Sequence, residues 1–484
     1  MISQVSEETK KESGKGRIAI YLPSSLTESF EIVLGRVADL IEQGDNPELI
    51  HCAGKVSGCV ANPYGIKSVC RHCVSVTDTA VKKLFPKIKS VPIDGFYNRH
   101  ADADEICLHT NALKAIESSV NSTILTFYRT DASLPYRNCL KRLAYNKLHE
   151  KYTKYNLFVL VSVSRYLSDK NCTRIEFFNG RIIPSHALLI AAESSSIDYS
   201  VIEVAGVEKK ILTVENELIH DFFYRQRALR SFIKQGKCDL DIGEDFYKKR
   251  RSGEATDTVS FVNGQKRGLI VDSHSKPIIS IFTSSTDEFS FLGEQWFTPA
   301  SKDPVSFITI LADLVSDRYQ LIVRMHPNQA GDKTGAAEIM EKDLRSCKDI
   351  TLITPSDPQS TYELIDISKA VLCFGSSIGL EATYSGKPSI LAGRAVWDFL
   401  DVSYYVESPE QVKEMLTQGI QPKPKDDAIK VASYYMIGDG QSGALEWSAA
   451  AQKFYVNGQN FLKNKRSSIS YFLTRLIDKG LRAL

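Results

Sequence analysis

The chain has 484 residues, 43% of them hydrophobic and 24% charged, with a mean hydropathy of −0.18. At roughly 150 residues per domain this predicts two to three domains with ample core and excludes a small disulfide-stapled fold. Sixty Lys and Arg residues face 58 Asp and Glu, a net charge of +2, so no global charge recruits nucleic acid.

Residues 1–16 read as a polar tail rich in Ser, Glu and Lys, without the apolar core of a signal peptide. No apolar run nears the roughly 18 residues that a membrane-spanning helix needs. The expectation is a cytoplasmic protein whose ten cysteines are thiols or metal ligands rather than disulfides.

In chain order, Arg17–Leu22 predicts a strand, Phe30–Glu42 an amphipathic helix and Glu48–His51 a second strand. Thr123–Phe127, Leu157–Val163, Arg174–Phe178 and Tyr199–Val204 read as further strands. Short β-rich runs alternating with helical stretches predict α/β layering on parallel sheets, here a first domain over 17–247. The basic, Gly-containing stretch 248–268 reads as a linker. A second α/β domain over 269–424 follows, with strands Pro277–Phe282, Gln320–Met325, Ala370–Phe374 and Pro388–Ala392 and a helix Pro304–Ser316. Residues 425–484 read as a helical C-terminal extension. It ends in the basic helix Ser468–Leu484, a packing helix or one lying on a membrane surface.

Within this frame Cys52, Cys59, Cys70 and Cys73 have the spacing C-x6-C-x10-C-x2-C, four sulfurs that fit a tetrahedral metal site. Zinc is the first expectation and an iron–sulfur cluster the second, against a set of buried thiols. At the end of the strand Arg174–Phe178 comes the turn Asn179-Gly180-Arg181, where Arg181 either clamps an anion or decorates a surface. Ile278–Phe282 runs into a hydroxyl-rich, acidic turn holding Ser284, Ser285 and Glu288. Leu321–Asn328 is a buried-strand pattern carrying Arg324 and His326 two apart, at the carboxyl end where open α/β sheets bind ligands.

The most informative stretch is Ala370–Leu391, a strand, a tight turn at Gly375, a short helix and a second strand. Ser376 and Ser377 fall where the helix begins, and unpaired N–H groups with two hydroxyls suit a phosphate there. The alternative is a plain helix cap. Glu381, one turn on, repels phosphate yet suits ribose hydroxyls.

These segments resemble the cytoplasmic GT-B glycosyltransferases of bacterial surface and capsular polysaccharide synthesis over most of residues 17 to about 440. The carriers are the cysteine cluster, Phe178–Arg181, Ile281–Glu288, Arg324–Asn328 and Phe374–Pro388. The last is also similar to the donor-site helix of the capsule Kdo transferases and the CDP-glycerol polymerases. The resemblance implies two Rossmann-like domains facing a cleft, with a nucleotide-sugar donor on the second and a glycan or lipid-linked glycan acceptor on the first. It implies that His326, Ser376 and Ser377 hold the donor phosphates and Glu381 the ribose, with Asn179 and Arg181 facing the cleft from the other side. By position at its strand end Arg324 joins the donor site, and Ser284, Ser285 and Glu288 open onto the cleft to contact donor or acceptor, unless their turn is a capped helix start. It implies no catalytic metal, so a metal on the cysteines would be structural.

An inverting transferase needs a base from the first domain, and by position the candidates are Asp131 and Glu203. A sugar-nucleotide 2-epimerase or an alditol-phosphate transferase uses the same fold. A non-enzymatic metal-binding interaction protein is the third reading. Peripheral contact with the inner face of the membrane is expected from where such glycans are built.

Overall fold

A computed structural model describes residues 16–97, 110–129, 139–254, 265–266, 268, 276–285 and 292–461. The first unit comprises β1 (Arg17–Leu22), α1 (Ser29–Glu42), β2 (Glu48–His51), α2 (Lys67–Leu84), β3 (Ser90–Pro92), α3 (Thr110–Tyr128), α4 (Cys139–Lys170), β4 (Cys172–Phe178), α5 (Ser185–Ser194), β5 (Asp198–Ala205) and β6 (Lys210–Glu215). Its strand order is β3-β2-β1-β4-β5-β6. All neighbours are parallel except the β5–β6 pair. Strand β1 shows why the run is apolar without alternation: Ala19 and Tyr21 enter the core beneath α4 and α5, Ile20 and Leu22 the core beneath α1. A parallel strand covered on both faces needs apolar residues on both.

The second unit comprises α6 (Phe222–Lys234), α7 (Leu240–Ser252), β7 (Ile278–Phe282), α8 (Pro304–Val315), β8 (Gln320–Arg324), α9 (Ala336–Ser346), β9 (Ile350–Ile353), α10 (Thr361–Ile367), β10 (Ser368–Cys373), α11 (Ile378–Tyr384), β11 (Ser389–Leu391), β12 (Tyr404–Tyr405), α12 (Pro409–Gln418) and α13 (Asp426–Ile437). Its sheet is parallel throughout, in the order β12-β11-β10-β7-β8-β9. Ile279 and Ile281 of β7 face one core, Ile278 and Phe282 the other. The chain therefore carries two Rossmann-like α/β domains, the GT-B arrangement expected from the sequence.

Several expectations are corrected. Thr123–Phe127 and Leu157–Val163 are helical, inside α3 and the 32-residue α4. Leu157 packs on one cluster, while Phe158, Val159 and Val163 pack on another. A helix enclosed on several sides shows an unbroken apolar run that periodicity alone does not separate from a strand. Thr123 Oγ1 and Thr126 Oγ1 donate to the carbonyls one turn back, at 2.7 Å each, so these β-branched residues sit in α3 with their hydroxyls satisfied.

The expected linker does not divide the two cores. Phe222, Leu229, Phe246 and Tyr247 share a cluster with Ile278, Trp296 and Val371 of the second unit. Tyr247 Oη donates to Ala428 O at 2.8 Å, and its ring stacks on Tyr384 at 4.3 Å. The cores part between β6 and α6, and residues 248–252 are the last turn of α7, closed by Gly253 at φ 84°.

The C-terminal extension is also less helical than expected. After α13 the chain returns to the first unit as a hairpin, β13 (Leu445–Ser448) and β14 (Lys453–Val456). Phe454 and Val456 join the α1 core, and Ala444 N donates to Asp39 Oδ1 at 2.7 Å. The basic segment 468–484 lies outside the described residues. Among the described residues no helix is long and apolar enough to cross a membrane.

Candidate active site at two topological switch points

In each sheet the chain fills one side and then jumps to the other, which opens a crevice at the carboxyl ends of the two central strands, β1 and β4 in the first and β7 and β10 in the second. Open α/β sheets bind their ligands there. Most of the residues singled out in the sequence fall at these two places.

At the β7/β10 crevice, Thr283, Ser284 and Ser285 leave β7 and Phe374–Ser377 leave β10. Ser284 Oγ donates to Phe374 O at 3.3 Å, joining the two loops. Thr283 Oγ1 accepts from His326 N at 3.2 Å, which brings in the turn after β8. His326 Nδ1 accepts from Asn328 N at 3.2 Å, so the neutral ring carries its proton on Nε2. The helix after Ser377 has only seven residues, and Ser377 makes no side-chain capping bond. Ser376 Oγ accepts a long 3.4 Å bond from Ile378 N. The helix nevertheless fixes the turn: a Cβ on Gly379 would stand 2.8 Å from Trp397 Cη2.

Arg324 is 2% exposed, and only its Nη2 has a partner, the carbonyl of Asp357 at 3.2 Å. Its Nε and Nη1 are buried without one. Burial holds this guanidinium below its ordinary affinity for protons, with Asp357 opposing the shift. A half-satisfied cation thus stands at the end of β8, paired in register with Phe282 at the end of β7. Glu381 differs from the expectation of an open ribose contact. It is buried, receives the Tyr362 hydroxyl, and lies 3.7 Å from Arg250. Its carboxylate anchors these two side chains. Ser285 is buried as well, and Glu288 lies outside the described residues.

At the β1/β4 crevice there is a cavity of about 1030 Å³. Leu22–Ser24 line it from β1, Phe178 and Ile182–Ser185 from β4, and Trp447 and Phe454 of the C-terminal hairpin from above. Cys52, Cys59, Cys70 and Cys73 all stand on its wall. Gly54 N donates to Cys52 Sγ and Asn62 Nδ2 to Cys70 Sγ, both at 3.2 Å, and Ser24 Oγ lies 3.2 Å from Cys73 Sγ. Burial pushes the thiols of Cys52, Cys59 and Cys70 up, Cys59 to about 12. All four are free cysteines. Among the described residues no group of three or more His, Cys, Asp or Glu side chains is placed to hold a metal ion. The metal centre expected on the four cysteines, zinc or iron–sulfur, therefore finds no ready-made ligand group among the described residues, although the charges of Cys70 and Cys73 act on Cys59.

Between the crevices lies a polar cluster. Asn179 and Gly180 both have positive φ, 69° and 80°, which Asn and Gly tolerate and which turns the chain sharply off β4. Asn179 Nδ2 donates to Glu203 Oε1 at 2.8 Å and to His220 Nε2 at 3.0 Å. Its Oδ1 accepts from the backbone of Arg181 and Ile182, at 3.1 and 3.2 Å. Asn179, expected to line the cleft, has its whole side chain engaged by these neighbours. Burial raises the Glu203 carboxyl to about 7 against the Asn179 bond and the Arg181 charge, and lowers His220 to about 3. Arg181 is itself desolvated, with a buried Nε that has no partner. Asp131 lies outside the described residues.

The second domain reaches this cluster directly. Trp296 Nε1 donates to His220 O at 3.3 Å, Gln295 Nε2 lies 3.4 Å from Asp221 Oδ2, and Arg129 at the end of α3 donates to Asn328. The sequence reading missed His220, Tyr362 and Arg250. For His220 the available signal was Asp221, which caps α6 by accepting from Tyr224 N at 2.8 Å and marks where the helix begins.

No protein-family model matches the chain, and no curated protein matches it. Among solved structures it is similar to KpsC of Thermosulfurimonas dismutans, a beta Kdo 2,4 transferase. The two are 11% identical with a TM-score of 0.39, over 65% of this chain and 88% of that one. It is also similar to UDP-GlcNAc 2-epimerase from Neisseria meningitidis, at 11% identity and a TM-score of 0.25 over 94% and 99%. For the wall teichoic acid polymerase TagF the identity is 15% and the TM-score 0.23, over 47% and 48%. At these identities and TM-scores a likeness assigns no substrate and no residue role to this chain.

Proposed function

We propose that the protein transfers a glycosyl group from a nucleotide-activated sugar to a growing bacterial surface polysaccharide. The observation that carries this reading is Arg324, a buried and half-satisfied cation at the strand ends that meet the β7/β10 crevice. A donor's phosphates would supply the anion this group lacks, and His326 Nε2–H with the Ser376 and Ser377 hydroxyls would donate to them. The same groups would then stabilise the leaving phosphate as its charge grows. The cavity at the β1/β4 crevice would take the acceptor, with hydroxyls on its wall and Trp447 as an aromatic face. The polysaccharide class rests on the resemblance of the Phe374–Pro388 stretch.

Nucleotide release from CMP-, CDP-, UDP-, GDP- and dTDP-sugars, measured with and without oligosaccharide acceptors, tests the reading. Release that depends on acceptor is expected. Conversion of the sugar nucleotide with no acceptor present would replace transfer by epimerisation.

A further inference from the structure

In transfer by direct displacement, the acceptor oxygen bonds to the anomeric carbon as the bond from that carbon to the donor phosphate breaks. The electron pair leaves with the phosphate, and the acceptor's hydroxyl proton needs a base. We infer that Glu203 takes that proton, with Asn179 and His220 as positioning residues that hold its carboxylate. The inference rests on the transfer reading above.

The argument is geometric. Asn179 uses all its bonding capacity: two N–H bonds go outward to Glu203 and His220, and two backbone N–H bonds come back to its Oδ1. The carboxylate is therefore tied to a turn whose shape is set by two consecutive left-handed residues. His220 accepts at Nε2, so it is neutral with its proton on Nδ1, and it adds no charge that would discourage Glu203 from taking a proton. The charged groups acting on Glu203 are Arg181 from the same turn and Lys209 from the β5–β6 turn, while Arg181 and Arg225 act on His220. The His220 carbonyl receives Trp296 of the second domain, so the base stands where the donor-bearing domain meets the first. Partial burial keeps the carboxyl poised near neutrality, as a base working at neutral pH requires.

The test is the pH dependence of kcat/KM for transfer, with nucleotide-induced thermal stabilisation measured alongside. The wild type should gain activity as pH rises through about 7. Glu203→Gln should lose about 10²- to 10⁴-fold and the acid limb with it, while still being stabilised by nucleotide. Asn179→Ala removes a bond to the charged carboxylate, so its limb should move to higher pH. Arg181→Gln, which leaves the Asn-Gly turn intact, should move the limb the same way by removing a cation. A Glu203→Gln enzyme that keeps the acid limb and stays within a few-fold of wild type would overturn the assignment. Absence of nucleotide stabilisation in the wild type would overturn the transfer reading and this assignment with it.

Discussion

The Glu203 carboxyl, proposed above as the base, weakens the fold that holds it once it ionises. Its carboxyl binds protons up to about 7 in the folded chain, against an ordinary 4.5. Because the folded value is raised, its contribution to stability is full below 4.5 and is lost as pH climbs to about 7. That gap corresponds to about 3 kcal/mol. Glutamine has nothing to ionise, so the stability advantage of Glu203→Gln over wild type should widen by a few kcal/mol between pH 4.5 and 8 in urea unfolding. An advantage that does not change with pH would show that Glu203 is already solvated. The buried pair of Arg36 and Glu176 contrasts with it: two hydrogen bonds of 2.8 and 3.0 Å satisfy the Glu176 carboxylate and tie α1 to β4. That pair is structural, since neither partner is left with a task elsewhere.

Between elements, the C-terminal hairpin packs closely across α1. A Cβ on Gly35 would stand 2.8 Å from Leu445 Cβ and 3.1 Å from Ile211 Cδ1. Gly35→Ala therefore sets a helix-propensity gain of about 1 kcal/mol against an overpacking cost of about 1–3 kcal/mol. We expect a net loss of stability in chemical denaturation; a gain would mean that the hairpin rides loosely on α1. The sheets were largely legible in the sequence, because strands such as Ile278–Phe282 are short, apolar on both faces and bounded by turn residues. Leu157–Val163 was not, since burial on several sides of α4 erased the helical period. Nor was the boundary between the cores, where the basic end of α7 resembles a linker although Phe246 and Tyr247 are buried in the second core. The hairpin was missed because the segment after Pro424 has a helical bias that holds only through Ile437. Loops carried by one contiguous motif, 283–285, 324–328 and 374–377, were singled out in the sequence, and hydrogen bonds join them in the fold. The Asn179–Glu203–His220 cluster was only partly visible, because it joins three segments that no local spacing connects.

Across the whole molecule the two switch points differ in chemistry. The first sheet offers a large cavity lined by Val204, whose chain neighbour Glu203 carries a carboxyl poised near neutrality, and the second offers hydroxyl loops and a buried cation. Trp296 on His220 and Arg129 on Asn328 tie the two halves together by hydrogen bonds. The central claim is that the β7/β10 crevice holds a nucleotide. Its most direct test is the thermal midpoint of the purified chain with CMP, CDP, UDP, GDP and dTDP, for wild type, His326→Ala and Arg324→Met. One nucleotide should stabilise the wild type, by about 2.7 kcal/mol at 100 times its dissociation constant. That gain should shrink in His326→Ala and vanish in Arg324→Met, whose ligand-free midpoint should be equal or higher because a half-satisfied buried charge is gone. Stabilisation by none of the five, or stabilisation undiminished in both variants, would contradict the account.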